Sequence, residues 1–179
     1  MDNGERSYRR FLCGYESAFD EILTQYRLSL IFFIDRIVGD PDAAEDIAID
    51  VFVDLWVHPR RYDFRCSLKS YLFMRGRCLA LDYLRRRKHL SGQDVPEDLP
   101  SWQDLEAQVL LDEQKQALNR ALTQLPEDMR QALHLIYFED LSYAEAALVM
   151  KRSTKQVDNL LYRGKQQLRT ILQKEGVEL

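Results

Sequence analysis

The sequence predicts an all-α protein made of two small helical domains joined by a flexible linker, the second of them a helix-turn-helix. Three observations carry this expectation. Only 7 Gly and 5 Pro interrupt 179 residues, and good helix formers such as Leu, Ala, Gln, Glu and Arg are plentiful. Apolar residues recur along several stretches at the three- and four-residue spacing of one helix face. The segment Ser91-Gly92-Gln93-Asp94-Val95-Pro96-Glu97-Asp98-Leu99-Pro100 has linker composition and separates two such stretches. The domains are therefore placed at 8–90 and 105–176, with an acidic linker at 91–104. At 46% hydrophobic, the chain has enough apolar side chain for a small core in each.

In the first domain a helix is expected over 15–38, with Phe19, Ile22, Leu23, Tyr26 and Leu30 on one face. Gly39-Asp40-Pro41 breaks it and starts another, because Asp40 can cap and Pro41 suits the first helical position. This second helix should stop near Val57, before His58-Pro59. Its buried stripe is Ala44, Ile47, Ala48, Val51, Phe52 and Leu55. Asp46, Asp50 and Asp54 recur every four residues, so their carboxylates share another face, flanked by Ile49 and Val53. Like charges at that spacing repel, which calls for compensation by a basic partner or simply by solvent and the helix dipole. The loop Pro59–Ser67 interleaves Arg60, Arg61 and Arg65 with Tyr62 and Phe64. Such a loop suits single-stranded nucleic acid, where bases stack and phosphates pair; equally, its aromatics could plug the domain's own core. A helix from Leu68 to Lys88 follows, ending in Arg85-Arg86-Arg87-Lys88.

In the second domain helices are expected over 104–123 and 127–138, the latter with Met129, Leu133, Ile136 and Tyr137 in the core. Two capping boxes then follow closely, Ser142-Tyr143-Ala144-Glu145 and Ser153-Thr154-Lys155-Gln156. They define a short helix over 143–150, a tight turn at Lys151-Arg152 and a longer helix over 154–173. Helices joined by so short a turn cross steeply, as in a helix-turn-helix. The long helix should bury Val157, Leu160, Leu161 and Leu168 and expose Lys155, Gln156, Asn159, Arg163 and Lys165. Those are base-reading amides and phosphate-pairing cations. A plain helical hairpin is the alternative.

Charge is laid out in blocks. Residues 39–57 hold six acids and no Lys or Arg; 60–88 hold ten bases and two acids; 91–113 hold seven acids; 151–174 hold seven bases and one acid. A basic face attracts phosphate even when the net charge is −4. Solvated helix faces remain the alternative for either basic block.

Cys13, Cys66 and Cys78 are odd in number and far apart, which argues against a disulfide framework and for a reducing compartment. Cys66, Cys78 and His89 lack metal-ligand spacing, so no metal and no cofactor are expected. Met1–Glu5 carry no apolar run, so no signal peptide is expected. Leu28–Val38 is too short and too charged to span a bilayer, so no membrane insertion is expected either. A soluble cytoplasmic protein is the expectation. No nucleophile–base constellation offers catalysis.

Taken in order, the stretches Ala44–Trp56, Ser67–Leu72, Ala80–Lys88, Leu125–Arg130, Tyr137–Tyr143 and Lys155–Arg163 resemble a bacterial sigma-70-type RNA polymerase initiation factor of the extracytoplasmic function (ECF) group. The resemblance covers nearly the whole chain. It implies a promoter-specificity subunit that binds core polymerase, reads the −10 and −35 elements with separate domains and assists promoter opening. On this likeness Asp46, Ile49, Asp50, Val53 and Asp54 dock on the β′ coiled coil. Arg60, Arg61, Tyr62, Phe64, Arg65, Arg77, Arg85 and Arg86 meet the −10 element. Arg152, Ser153, Thr154, Lys155, Gln156, Asn159 and Arg163 meet the −35 element. The implied partners are core polymerase (β′ and β), promoter DNA and an anti-sigma factor. The linker would thread near the polymerase active centre, as a nucleic-acid mimic or as a plain tether. Five positions depart from the pattern: Ile49 for Gln, Arg75-Gly76 for Ile-Ala, Cys78 for Asn, and Gly164 for Ala. Two other classes fit parts of the sequence. A free-standing helix-turn-helix regulator leaves the acidic helix unused, and a protein-binding adaptor predicts no salt-dependent DNA affinity.

Overall fold

A computed structural model describes residues 3–91 and 113–174. They fall into two compact units, and every regular element among the described residues is a helix. The linker expected at 91–104 lies outside the described residues apart from Ser91, which ends a helix.

The N-terminal unit contains α1 (Asn3–Leu12), α2 (Ser17–Val38), α3 (Pro41–Val57) and α4 (Leu68–Ser91). The other three all pack on α2. Leu30, Phe33, Ile34 and Ile37 of α2 meet a core shared with Leu55, Leu72 and Phe73, and the Phe33 and Phe73 rings lie 5.1 Å apart. Each such side chain contributes about 1.5–3 kcal/mol on burial, so this layer dominates the unit's stability. The start of α3 follows the sequence: Asp40 Oδ1 accepts from Ala43 N at 3.1 Å, with Pro41 at the first position. The buried stripe of α3 is the six residues expected.

Helix α1 is absent from the expectations, which begin the first helix near residue 15. Its inner face is Gly4, Ser7 and Tyr8. Gly4 lies against Tyr26: a Cβ there would stand 2.3 Å from the Tyr26 hydroxyl. Ser7 Oγ and Arg10 Nη1 donate to the two carboxylate oxygens of Glu21, at 2.6 and 2.7 Å. These bonds, that from Ser7 foremost, hold Glu21 below the usual carboxylate range. The Tyr8 ring is fully buried. Its hydroxyl lies 3.0 Å from the Pro59 carbonyl oxygen and 3.2 Å from that of Leu55, donating to one or the other. Burial pushes its pKa up.

The C-terminal unit contains α5 (Glu113–Thr123), α6 (Glu127–Tyr137), the first five residues of α7 (Tyr143–Met150), and α8 (Thr154–Lys174). Helix α8 packs on both α5 and α6. Ala117, Ala121 and Leu172 form one cluster, flanked by Leu118, Leu168 and Ile171. Met129, Leu133, Val157 and Leu161 are buried. Tyr137 corrects the expected core of α6: it is 51% exposed, with the Lys165 ammonium 5.0 Å from its ring centre. The buried place at this end of α6 belongs instead to a polar pair, His134 Nε2 and Glu139 Oε1, 3.2 Å apart and both nearly excluded from water. The Phe138 ring stacks on His134.

Candidate polymerase and nucleic-acid interfaces

On α3 the face opposite the core carries Asp46 and Asp50, both exposed. Between them and beyond lie Ile49 and Val53, 46% and 52% exposed. They border an open groove of about 750 Å³ between α2 and α3, walled by Phe19, Leu23, Leu28, Phe52 and Trp56. Across its end, Arg27 of α2 pairs with Glu45 of α3.

Asp54 departs from the expected acidic row. Its side chain is only 18% exposed, and its carboxylate is taken up within the unit. Arg61 pairs with Oδ1, His58 Nδ1 lies 3.2 Å from the same oxygen, and Arg75 Nη2 donates to Oδ2 at 3.2 Å. The charge repulsion expected along this helix is relieved at Asp54 by the protein itself.

Both aromatics of the loop after α3 lie against side chains of the unit itself. Tyr62 is 2% exposed; its ring packs on Tyr8 and Tyr71, and its hydroxyl donates to the Cys66 carbonyl at 2.7 Å. The expectation that Tyr62 offers a face to a base is therefore corrected. Phe64 is half-buried, sits at φ +61°, and carries the Arg9 guanidinium 4.1 Å above its ring. Arg60 and Arg65 are exposed, the latter 3.1 Å from Asp63. On α4, Arg77 is half-buried while Arg85 and Arg86 are exposed; Arg85 also pairs with Asp82. Ser67 caps α4 through its Oγ, which accepts from Ser70 N at 3.2 Å.

Both capping boxes of the C-terminal unit form as read from the sequence. Ser142 Oγ accepts from Glu145 N at 3.3 Å, and Glu145 Oε2 accepts from Ser142 N at 2.9 Å. Ser153 Oγ accepts from Gln156 N at 3.2 Å, and Gln156 Oε1 accepts from Ser153 N at 2.8 Å. Between α7 and α8 the chain turns at Lys151, φ +53°, and Arg152 N donates to the Ala147 carbonyl at 2.9 Å. The second box fixes where α8 begins. Thr154, Lys155, Gln156, Asn159 and Arg163 are all exposed on α8. Gln156 commits its side-chain carbonyl to the cap. Arg152 pairs with Asp128 of α6, which anchors the turn to the helix behind it. Lys165 leans toward α6, where a hydrogen bond with Tyr137 holds its ammonium above the ordinary range.

Family models for Sigma-70 region 2 and Sigma-70 region 4 match residues 22–90 and 115–168. The ECF RNA polymerase sigma factor SigM of Bacillus subtilis is 30% identical over 158 residues, covering 85% of this chain and 93% of its own. The chain belongs to the ECF group of sigma-70-family factors. The RNA polymerase sigma-H factor of Pseudomonas aeruginosa is 27% identical over 184 residues, 97% of this chain and 95% of its own. Among solved structures, the sigma factor RpoE of Bartonella quintana, in complex with the anti-sigma factor NepR, shares the fold. Its TM-score is 0.69 at 23% identity, over 87% of this chain and 96% of that one. The sigma factor is thus a promoter-recognising subunit of RNA polymerase that acts in transcription initiation.

Residues outside the sequence-based set also shape these surfaces. Tyr8 and Arg9 brace the loop from α1, and Arg75 shares Asp54. Arg75 carries a signal in the sequence, since it stands where the family pattern has Ile. Tyr8 and Arg9 carry none, because nothing in their own stretch points to a contact so distant along the chain.

Proposed function

We propose that the N-terminal unit docks on core polymerase through Asp46, Ile49, Asp50 and Val53 and presents the loop 59–67, with Arg85 and Arg86, to the −10 element. The C-terminal unit reads the −35 element through α8: Ser153 and Thr154 meet phosphate, Lys155, Gln156 and Asn159 meet base edges, and Arg163 grips the backbone. The supporting observation is the α3 face, where two exposed carboxylates alternate with two exposed aliphatic residues beside an apolar groove. A basic amphipathic helix of core polymerase fits that pattern, with apolar contacts for affinity and charge for orientation. The sigma factor works in the cytoplasm, without cofactor, metal or catalysis of its own, and an anti-sigma protein holds it inactive by covering these surfaces. No described helix is long and apolar enough to cross a membrane.

Asp50→Lys tests the docking role. The exposed site tolerates the change, so helical circular dichroism is expected to stay unchanged. Core affinity in a fluorescence titration is expected to fall at least about tenfold, the usual scale for reversing a charge opposite its partner. Unchanged affinity removes Asp50 from the interface.

A further inference from the structure

We propose that Asp54 is a positioning residue for the arginine-aromatic loop and not a contact to core polymerase. The inference rests on the reading of loop 59–67 as DNA-facing. Asp54 lies on the docking helix, yet both of its oxygens face inward toward other elements: Arg61 of the loop on Oδ1 and Arg75 of α4 on Oδ2. One carboxylate thus ties α3, the loop and α4 together.

The arrangement accounts for two anomalies at once. Arg75 Nε is buried without a hydrogen-bond partner. The guanidinium, 33% exposed, meets its counter-charge through Nη2, which donates to Asp54 Oδ2 at 3.2 Å. Asp54 in turn breaks the acidic row of the docking face, being far less exposed than Asp46 and Asp50. Arg61, though its side chain is 51% exposed, is held by Asp54, so Arg60 and Arg65 are the loop cations not tied to α3. Together with Tyr8, whose hydroxyl sits at the Pro59 carbonyl, the bridge fixes the first half of the loop before DNA arrives. Preorganisation of this kind lowers the ordering cost of binding.

The alternative roles predict different outcomes in one experiment. Holoenzyme is assembled from core polymerase and full-length wild type, Asp54→Asn, Arg61→Gln or the double variant. Its affinity is then measured, across a KCl series, for a fork-junction DNA carrying the −10 sequence of a promoter recovered by run-off transcription. The positioning role predicts unchanged core affinity for all variants. It predicts fork binding about fivefold weaker in each single variant, from loss of one partly shielded ion-pair network. The double variant should be no weaker than either single, because both remove the same bridge, and the salt slope should not change. If Asp54 docks on core, Asp54→Asn weakens core binding. If Arg61 is a phosphate ligand that Asp54 merely competes for, Asp54→Asn tightens fork binding and Arg61→Gln lowers the salt slope by about one. Additive losses also overturn the proposal. Should Asp54→Asn fail to fold, Arg61→Gln decides alone, since that side chain is 51% exposed: weaker binding at unchanged slope supports the bridge, and a reduced slope or unchanged binding rejects it. Wild-type holoenzyme that ignores fork DNA while still binding core removes the DNA-facing reading of the loop, and this proposal with it. Wild-type binding with an additive cycle removes only the proposal.

Discussion

Gly76 and Gly164 are both helical, both buried, and differ in what surrounds them. A Cβ at Gly76 would stand 2.9 Å from Leu30 Cδ1 and 3.1 Å from Ile34 Cδ1, two side chains completely shut from solvent. At Gly164 the nearest atom would be Leu133 Cδ1 at 3.2 Å, followed by Met129 Cβ at 3.4 Å. Alanine gains about 1 kcal/mol over glycine in a helix interior, and overpacking a filled core costs about 1–3 kcal/mol. The same substitution is therefore expected to act in opposite directions. Gly76→Ala should destabilise by about 1 kcal/mol, and Gly164→Ala, where one methyl shifts by a few tenths of an ångström, should stabilise by about 0.5 kcal/mol. Urea denaturation of the two full-length variants reads both signs, and a stabilised Gly76→Ala would show that α2 and α4 have slack between them. At this scale sequence was a partial guide. It marked Gly76, Arg75 and Gly164 as unusual but could not explain them, because the explanations are Leu30, Asp54 and Leu133, residues on other helices. Tyr62 was ambiguous for the same reason: its fate depends on Tyr8 and Tyr71.

Element boundaries were the most legible feature, and their legibility has a local cause. Asp40-Pro41, Ser142–Glu145 and Ser153–Gln156 satisfy helix-end donors within four residues of chain, so no tertiary knowledge is needed to see them. Helix α1 is the counter-example. Its buried face consists of Gly4, Ser7 and Tyr8, two of them small, so the apolar periodicity that reveals other helices is missing. It is helical because α2 and the loop supply its partners. The two serine caps allow a paired prediction. Ser142→Ala and Ser153→Ala should each cost about 1 kcal/mol of stability, as lost N-caps do. Only Ser153→Ala should also weaken −35 recognition, since it alters the start of the helix that carries the reading residues. Thermal melts alongside holoenzyme binding to a promoter mutated within the −35 element, and to its parent, separate the two effects. Equal losses of −35 discrimination in both variants would show that cap stability alone matters.

For the whole molecule, the distribution of charge matters more than its sum. A chain of net charge −4 gathers six acids and no Lys or Arg in 39–57 and gathers bases in 60–88 and 151–174, so under the proposed roles a basic partner and DNA would each meet a surface of opposite sign. Division into two units suits a subunit that recognises two separated elements: each unit contributes modest affinity, and tethering makes the second contact intramolecular. A free-standing regulator needs no acidic docking face, and an adaptor needs no amide-bearing recognition helix. The most direct measurement is run-off transcription by core polymerase on a genomic promoter library, with and without the sigma factor. Defined transcripts that appear only when it is present, and that disappear when −10-like or −35-like elements upstream of their start sites are mutated, are the predicted result. A protein that binds core polymerase yet starts no transcript from any promoter, or one that never associates with core, would contradict the account.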